Sequence, residues 1–333
     1  MTQSITQSDI VNRVMGDTGS GKSSLINRIC GKDDALVSDG QASVTKEVTH
    51  YTTVVNGETV TLIDTPGFDD THLSGREVLE RISTYLYAHY QQGRKLSGLL
   101  FLREINLSRM TGSAVKNLDM FQRLCGEESL KNVVLVTTKW DKASFDNACN
   151  HEEELVKNFW ADMIKLGCSS PKRLGKVVDP SCDIVDPVSD VIAPMLQFQP
   201  TTLRIQQELE DGKNLIDTAA GQYIDQHLSV AIKRIKKSHN SALAQAEESR
   251  HLQIKEALAA QAAIHREELE KAERDKEKLR ENYEDTLKAE KQRWSMAMNA
   301  LAVTTSLAIG AETCRQLRNS ETQRVAQSTL DKS

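Results

Sequence analysis

The chain has 333 residues, of which 27% are charged and 39% apolar, with 42 basic residues against 47 acidic for a formal net charge of −5. That size and apolar content suit one large domain with an extension, or two domains, and exclude a wholly disordered chain, a collagen and a small disulfide scaffold. The near balance of charge excludes a dedicated nucleic-acid binder, so no nucleic-acid partner is expected.

Residues 10–15 read as the first strand, although Asn12 and Arg13 interrupt its apolar run. Buried polar groups need partners or an exit to water, so either this strand is effectively short or Arg13 reaches the end of the sheet. A helix is expected over 23–30. Residues 50–55 and 58–64 flank Asn56-Gly57, a strong signal for a two-residue hairpin. Val78, Leu79, Ile82, Tyr85, Leu86 and Tyr90 share one helical face. Residues 99–102 and 133–136 are short apolar runs suited to strands buried on both faces, with a helix over 114–124 between them. A further helix is expected over 152–166 and a last strand over 176–178. This alternation is the pattern of a mostly parallel α/β sheet.

The pattern changes near residue 200. All six prolines lie between Pro66 and Pro200, and only Gly212, Gly221 and Gly310 follow, so both helix breakers nearly vanish and long helices are expected. From residue 266 to 293, nineteen of 28 residues are charged with mixed signs, as on a solvent-exposed helix. Leu228, Ile232, Ile235, Ala242 and Ala246, then Leu269, Ala272, Leu279 and Tyr283, form partial coiled-coil seams that His239 and Lys276 break. Such a tail can fold back or stand in solvent, and it can also carry self-association or a protein partner. Residues 295–311 are uncharged, but these seventeen weakly apolar residues fall short of the roughly 20 that span a bilayer, so packing against protein is expected over membrane contact.

The six cysteines lie far apart with no CxxC pair, which argues against structural zinc and for reduced thiols. The opening MTQSITQSD has neither the basic start nor the apolar run of a secretory signal. Thr2 stands where myristoylation needs glycine, and there is no C-terminal CaaX box. A cytoplasmic protein is the expectation.

Gly16-Asp17-Thr18-Gly19-Ser20-Gly21-Lys22-Ser23 fits GxxxxGK[ST] without a mismatch, between an expected strand and an expected helix. Glycines let backbone N–H groups curl round phosphates, and the helix offers its positive N-terminal end to the same anion. Lys22 is the expected catalytic cation on the β- and γ-phosphates, Ser23 an Mg²⁺ ligand, and Ser24 completes the nucleotide-binding set. Asp64, in Leu62-Ile63-Asp64-Thr65-Pro66-Gly67, ends a strand where a carboxylate can hold the magnesium shell, while the Gly67 N–H can sense a γ-phosphate. In Thr138-Lys139-Trp140-Asp141 the carboxylate can accept two hydrogen bonds from guanine, whereas adenine presents an acceptor at N1. The Lys139 stem would cover the base.

In this order the three elements resemble the G motifs of phosphate-loop GTPases, with Thr138 in place of the usual asparagine. The resemblance implies a metal-binding threonine between the first helix and the hairpin. Ser43-Val44-Thr45-Lys46 looks like the stretch found in immunity-associated (GIMAP-type) GTPases, which makes Thr45 the expected ligand and catalytic residue, and Thr49 the alternative. Ser181-Cys182-Asp183 is the candidate fifth motif. The segments IDTPGFDDT, KLSGLLFLREI, SRMTGSAVKNLDMF and NVVLVTTKWD resemble fungal GTPases allied to GIMAP proteins, septins and Toc receptors. Leu102-Arg103-Glu104 departs from the histidine-containing form expected there.

The resemblance implies a G domain over 8–200 that binds GTP or GDP with Mg²⁺, followed by an α-helical, partly coiled-coil extension over 201–333. Phe68 stands where many GTPases place the glutamine that orients the attacking water. It implies slow intrinsic turnover, and homodimerisation across the nucleotide face in which Asp69, Asp70 or a partner arginine completes the site. A septin-like scaffold with structural nucleotide and little turnover is the alternative.

Overall fold

The computed structural model describes residues 10–31, 49–65, 67, 74–93, 96–107, 109–175, 183–248, 252–280, 287–288 and 292. Thr45, Phe68, Asp69, Asp70, Ser181, Cys182 and the segments 176–178 and 295–311 lie outside them. The chain divides into Met1–Tyr283 and Glu284–Ser333, and the first of these is described below.

Strand β1 (Ile10–Gly16) leads through the loop into α1 (Lys22–Cys30). The strands β2 (Thr49–Val55) and β3 (Glu58–Asp64) form the expected hairpin, with Asn56 and Gly57 at φ 52° and 83°, the positive values such a turn requires. Then come α2 (Gly75–Gln91), β4 (Gly98–Glu104), α3 (Gly112–Cys125) and β5 (Val133–Thr138). A Ser74–Glu77 capping box starts α2, and Thr111 caps α3. The six-stranded sheet has the order β2-β3-β1-β4-β5-β6, antiparallel at β2–β3 and parallel elsewhere.

One departure follows β5. The helix expected over 152–166 begins earlier, as α4 (Phe145–Glu154), widens into a π-turn at Leu155–Phe159 and resumes as α5 (Ala161–Lys165). The Trp160 N–H reaches back five residues to Leu155 O at 2.8 Å, and Trp160 is buried to 1% exposure at that widened turn. Among the described residues the last strand is β6 (Lys172–Leu174), and the expected strand over 176–178 lies outside them. Three residues carrying Lys and Arg give no apolar run to read, and the strand is specified by its pairing with residues 136–138.

The sheet packs apolar side chains on both faces. Val14, Leu62, Leu100, Leu102, Val134 and Val136 meet Leu25, Ile26 and Ile29 of α1, together with Ile192 and Met195 from a π-turn at Pro187–Ile192 that runs into α6 (Ala193–Met195). On the opposite face, alternation along the strand places Arg13 toward α2, where its guanidinium lies 4.9 Å from the Tyr85 ring centroid. Phe101 meets Phe121 of α3 at 4.6 Å.

Arg13 corrects both sequence expectations. The strand is full length, and Arg13 neither exits to water nor reaches the sheet end. It is fully buried, and its three guanidinium nitrogens have no hydrogen-bond partner. Burial pushes its pKa down to about 10, against small opposing influences from Tyr85 and Cys125.

Beyond residue 200 the described residues are mostly helical: α7 (Arg204–Glu210), α8 (Ala219–Glu248) and α9 (Leu252–Lys278). They do not stand apart from the sheet's helices. Gln206 Nε2 donates to Leu86 O of α2 at 2.9 Å, and Tyr223 Oη donates to Asp119 of α3 at 3.0 Å. Arg76 of α2 pairs with Glu80 and, at 3.3 Å, with Asp275 of α9. The helices α8 and α9 run antiparallel, as Asp225 with Lys276, Lys236 with Glu273 and His239 with Ala262 show. The two residues that break the apolar seam bridge this hairpin: His239 meets Ala262 O at 3.0 Å, and Lys276 donates to Ser229. Among the described residues no helix is long and apolar enough to cross a membrane.

Candidate functional site

The loop at residues 16–23 leaves the carboxyl end of β1 in the middle of the sheet. Gly16 has φ 142°, and a Cβ there would lie 2.2 Å from Leu102 O on β4, so only glycine lets the chain turn away so close to its neighbour. Gly21 supplies no capping side chain to α1, and a helix start of this kind offers backbone N–H groups and a positive dipole end to an anion. Lys22 is buried and turns its ammonium back along the loop, donating to Gly16 O at 3.2 Å and Asp17 O at 2.9 Å.

Asp64 and Gly67 come to the same loop from β3. Ser23 Oγ donates to Asp64 Oδ2 at 2.7 Å. A Cβ on Gly67 would stand 2.3 Å from Thr18 Oγ1, so the backbone here lies hard against the loop. Thr65 Oγ1 fixes the approach by donating to Val14 O at 2.9 Å. The Ser23 hydroxyl and the Asp64 carboxylate are hard oxygen donors already within 2.7 Å of one another, which fits a small divalent cation that takes its remaining ligands from water and phosphate. No cluster of three or more His, Cys, Asp or Glu suited to a metal occurs among the described residues.

The second half of the site ends β5. Thr138 Oγ1 donates to Ser20 O at 2.8 Å and lies 3.4 Å from Arg103 O. Lys139 is held at φ 60°, a left-handed conformation unusual for a side chain of this size, and its ammonium pairs with Glu104 at the end of β4. Beneath it, Trp140 Nε1 donates to Thr137 Oγ1 at 3.0 Å, and that hydroxyl donates to Glu152 at 2.9 Å. Arg173 of β6 donates to Glu152 from Nε at 2.8 Å and lies 4.4 Å over the Trp140 ring. This buried network supports an exposed Asp141.

The structure brings Gly16, Asp17, Thr18, Gly19, Ser20, Gly21, Lys22, Ser23, Asp64, Gly67 and Thr138 together at the carboxyl ends of neighbouring strands, with Lys139 and Asp141 following from β5. Ser24 is exposed on α1. Thr45 falls outside the described residues, whereas Thr49 opens β2 in register with Asp64. Of the candidate fifth motif only Asp183 is described, and it is exposed. Among the described residues, the backbone of Gly175, just past β6, lies near Asp141, where a Cβ would stand 3.6 Å from Asp141 Oδ1. A lone glycine after a three-residue strand carries no motif by which sequence could have found it.

Sequence reasoning also missed the ties from β4. Arg103 pairs with the Asp17 carboxylate, and Asn117 Nδ2 donates to its other oxygen at 3.1 Å. The available signal was the departure of residues 102–104 from the expected histidine-containing form. The four described cysteines, Cys30, Cys125, Cys149 and Cys168, form no disulfide. Burial pushes the Cys168 thiol up to about 12 and raises Cys125 as well, which keeps both unreactive.

Residues 10–166, a little under half of the chain, match the model of the AIG1 family. GTP-binding protein A of Dictyostelium discoideum is 30% identical over 125 residues, 38% of this chain and 27% of that protein. GTPase Der of Streptococcus pyogenes serotype M5 (strain Manfredo) is 27% identical over 174 residues, 50% of this chain and 37% of that protein. The chain thus spans only about a quarter to two fifths of the length of these curated relatives. Among solved structures, Toc33 from Arabidopsis thaliana in complex with Mg²⁺ and GMPPNP is similar at 18% identity and a TM-score of 0.43, covering 62% of this chain and 86% of that one.

Proposed function

We propose that this chain binds guanine nucleotides with Mg²⁺ and hydrolyses GTP slowly, as a switch whose turnover is set by self-association across the nucleotide face. The observation that carries the reading is the convergence of three separate segments on one loop: Ser23 on Asp64, Gly67 against Thr18, and Thr138 on Ser20. Each segment serves a different part of the same ligand. The loop and Lys22 hold phosphates, Asp64 and Gly67 sit where the terminal phosphate would be sensed, and Asp141 reads the guanine edge. The Dictyostelium and streptococcal relatives, which their names describe as a GTP-binding protein and a GTPase, support the same ligand.

In this reading Lys22 stabilises charge developing on the phosphoryl oxygens in a site whose donors are already placed, so little reorganisation accompanies the reaction. Ser23 and Asp64, with Thr45 or Thr49, would hold the Mg²⁺, whose part is to neutralise phosphate charge. Asp141 accepts from guanine N1–H and N2–H₂, and the Lys139 stem, fixed by Glu104, lies along the base. Phe68 can neither donate nor accept a conventional hydrogen bond to water, which is why turnover is proposed to be slow and to need a second copy. Free buried thiols suit a cytoplasmic setting, and the helical extension would report nucleotide state to a protein partner.

The test is GTP turnover per molecule across roughly a hundredfold range of protein concentration with Mg²⁺ present. A specific rate that climbs with concentration supports control by self-association. A flat rate near zero with nucleotide retained overturns the switch in favour of a septin-like scaffold in which nucleotide is structural.

A further inference from the structure

A loop built to hold an anion here carries a carboxylate. Asp17 is its second residue, and its side chain is only 14% exposed. An unneutralised carboxylate at that place would oppose phosphate binding, because charges interact strongly where water is partly excluded. The structure deals with it from β4. Arg103, 5% exposed, pairs with one Asp17 oxygen, and Asn117 of α3 donates to the other at 3.1 Å. Arg103 is itself fixed, since its second terminal nitrogen donates to Arg109 O at 3.2 Å and its own carbonyl lies 3.4 Å from Thr138 Oγ1. The next residue on the same strand, Glu104, pairs with Lys139. Successive residues at one strand end thus grip the phosphate loop and the base-reading loop.

We propose that Arg103 is a positioning residue that cancels the Asp17 charge, so that the loop presents the Lys22 cation and its N–H groups to phosphate without an opposing carboxylate. This rests on the nucleotide reading given above. It differs from a purely structural ion pair in two ways. Loss of Arg103 harms binding in proportion to ligand charge, and the harm is relieved by removing the Asp17 charge as well.

The experiment measures the affinities of GMP, GDP and a non-hydrolysable GTP analogue for the full chain with Mg²⁺, comparing wild type, R103A, D17N and the double variant. R103A is expected to weaken the triphosphate by about tenfold or more, the diphosphate less and the monophosphate least. Higher salt should narrow that spread. The double variant is expected to recover most of the loss. D17N alone leaves the Arg103 cation unbalanced beside the loop and should tighten the triphosphate more than the monophosphate, which tests the idea even if R103A fails to fold. An equal loss for all three nucleotides, no relief in the double variant, or D17N weakening the triphosphate would each overturn the proposal while leaving the nucleotide reading intact. Wild type that binds none of the three would overturn both.

Discussion

Thr138 gives its hydroxyl proton to the carbonyl of Ser20, 118 residues earlier in the chain, across 2.8 Å. Thr138 therefore ties the loop after β5 to the loop at residues 16–23. Thr138→Val keeps the shape and removes the donor, leaving a buried carbonyl unpaired. We expect a loss of about 1–2 kcal/mol in unfolding free energy, measured by urea denaturation without nucleotide. Nucleotide affinity should fall several-fold as well.

Asp141 is exposed and has few structural duties, so Asp141→Asn should leave the melting temperature nearly unchanged. Its amide would donate where the carboxylate accepted, matching the carbonyl at C2 of xanthine in place of the guanine amino group. Preference should shift from GTP toward xanthosine triphosphate by about a hundredfold or more, read by competition binding. Unchanged selectivity would show that another group reads the base.

Lys22→Ala removes the cation expected to face the phosphates. Affinity for GTP should drop by roughly a hundredfold or more in equilibrium titration, since a charge-assisted contact is lost in a partly dry site. A variant that still binds GTP tightly would refute the assignment.

Arg13 lies unpaired in the core, its pKa lowered to about 10 by burial. Because the folded value is below the unfolded one, the charged form is penalised at every pH below about 10 and is relieved only above it. Arg13→Met should therefore raise unfolding free energy by about 1–3 kcal/mol, by the same amount from pH 6 to pH 9. A gain that varied across that range would mean another titrating group is involved.

Asp275→Ala cuts one tie between α9 and Arg76 of α2 while leaving Arg76 paired with Glu80. Amide hydrogen exchange over Leu252–Lys278 should speed up by about fivefold to thirtyfold, the equivalent of roughly 1–2 kcal/mol, with β4 and β5 unaffected.

The strands and helices of the sheet were legible because each carries its own local signal. Residues 99–102 are apolar throughout, Val78 to Tyr90 keep a helical period, and Asn56-Gly57 specifies its turn. The loop at residues 16–23 is legible for the same reason, since contiguous residues carry its chemistry. What stayed hidden depends on distant partners. Arg103 and Asp17 are 86 positions apart, and neither residue type announces the other. Trp160 turns inward through one extra residue in a helical turn, which periodicity reads as noise. Arg13 was visible as an anomaly, but its resting place over Tyr85 is a property of the packed core.

The tie between Arg76 and Asp275 also makes geometry matter. The helix α9 has 27 residues, and at about 1.5 Å per residue it is an arm roughly 40 Å long. Its grip on α2 is near one end, at Asp275, while Leu252 lies near the other. A tilt of only about 5° in an arm of that length carries its far end some 3 Å, the width of a water molecule. Any tilt of the hairpin of α8 and α9 about its tie to α2 is therefore magnified along its length, and small rotations at Asp275 become larger displacements near Leu252.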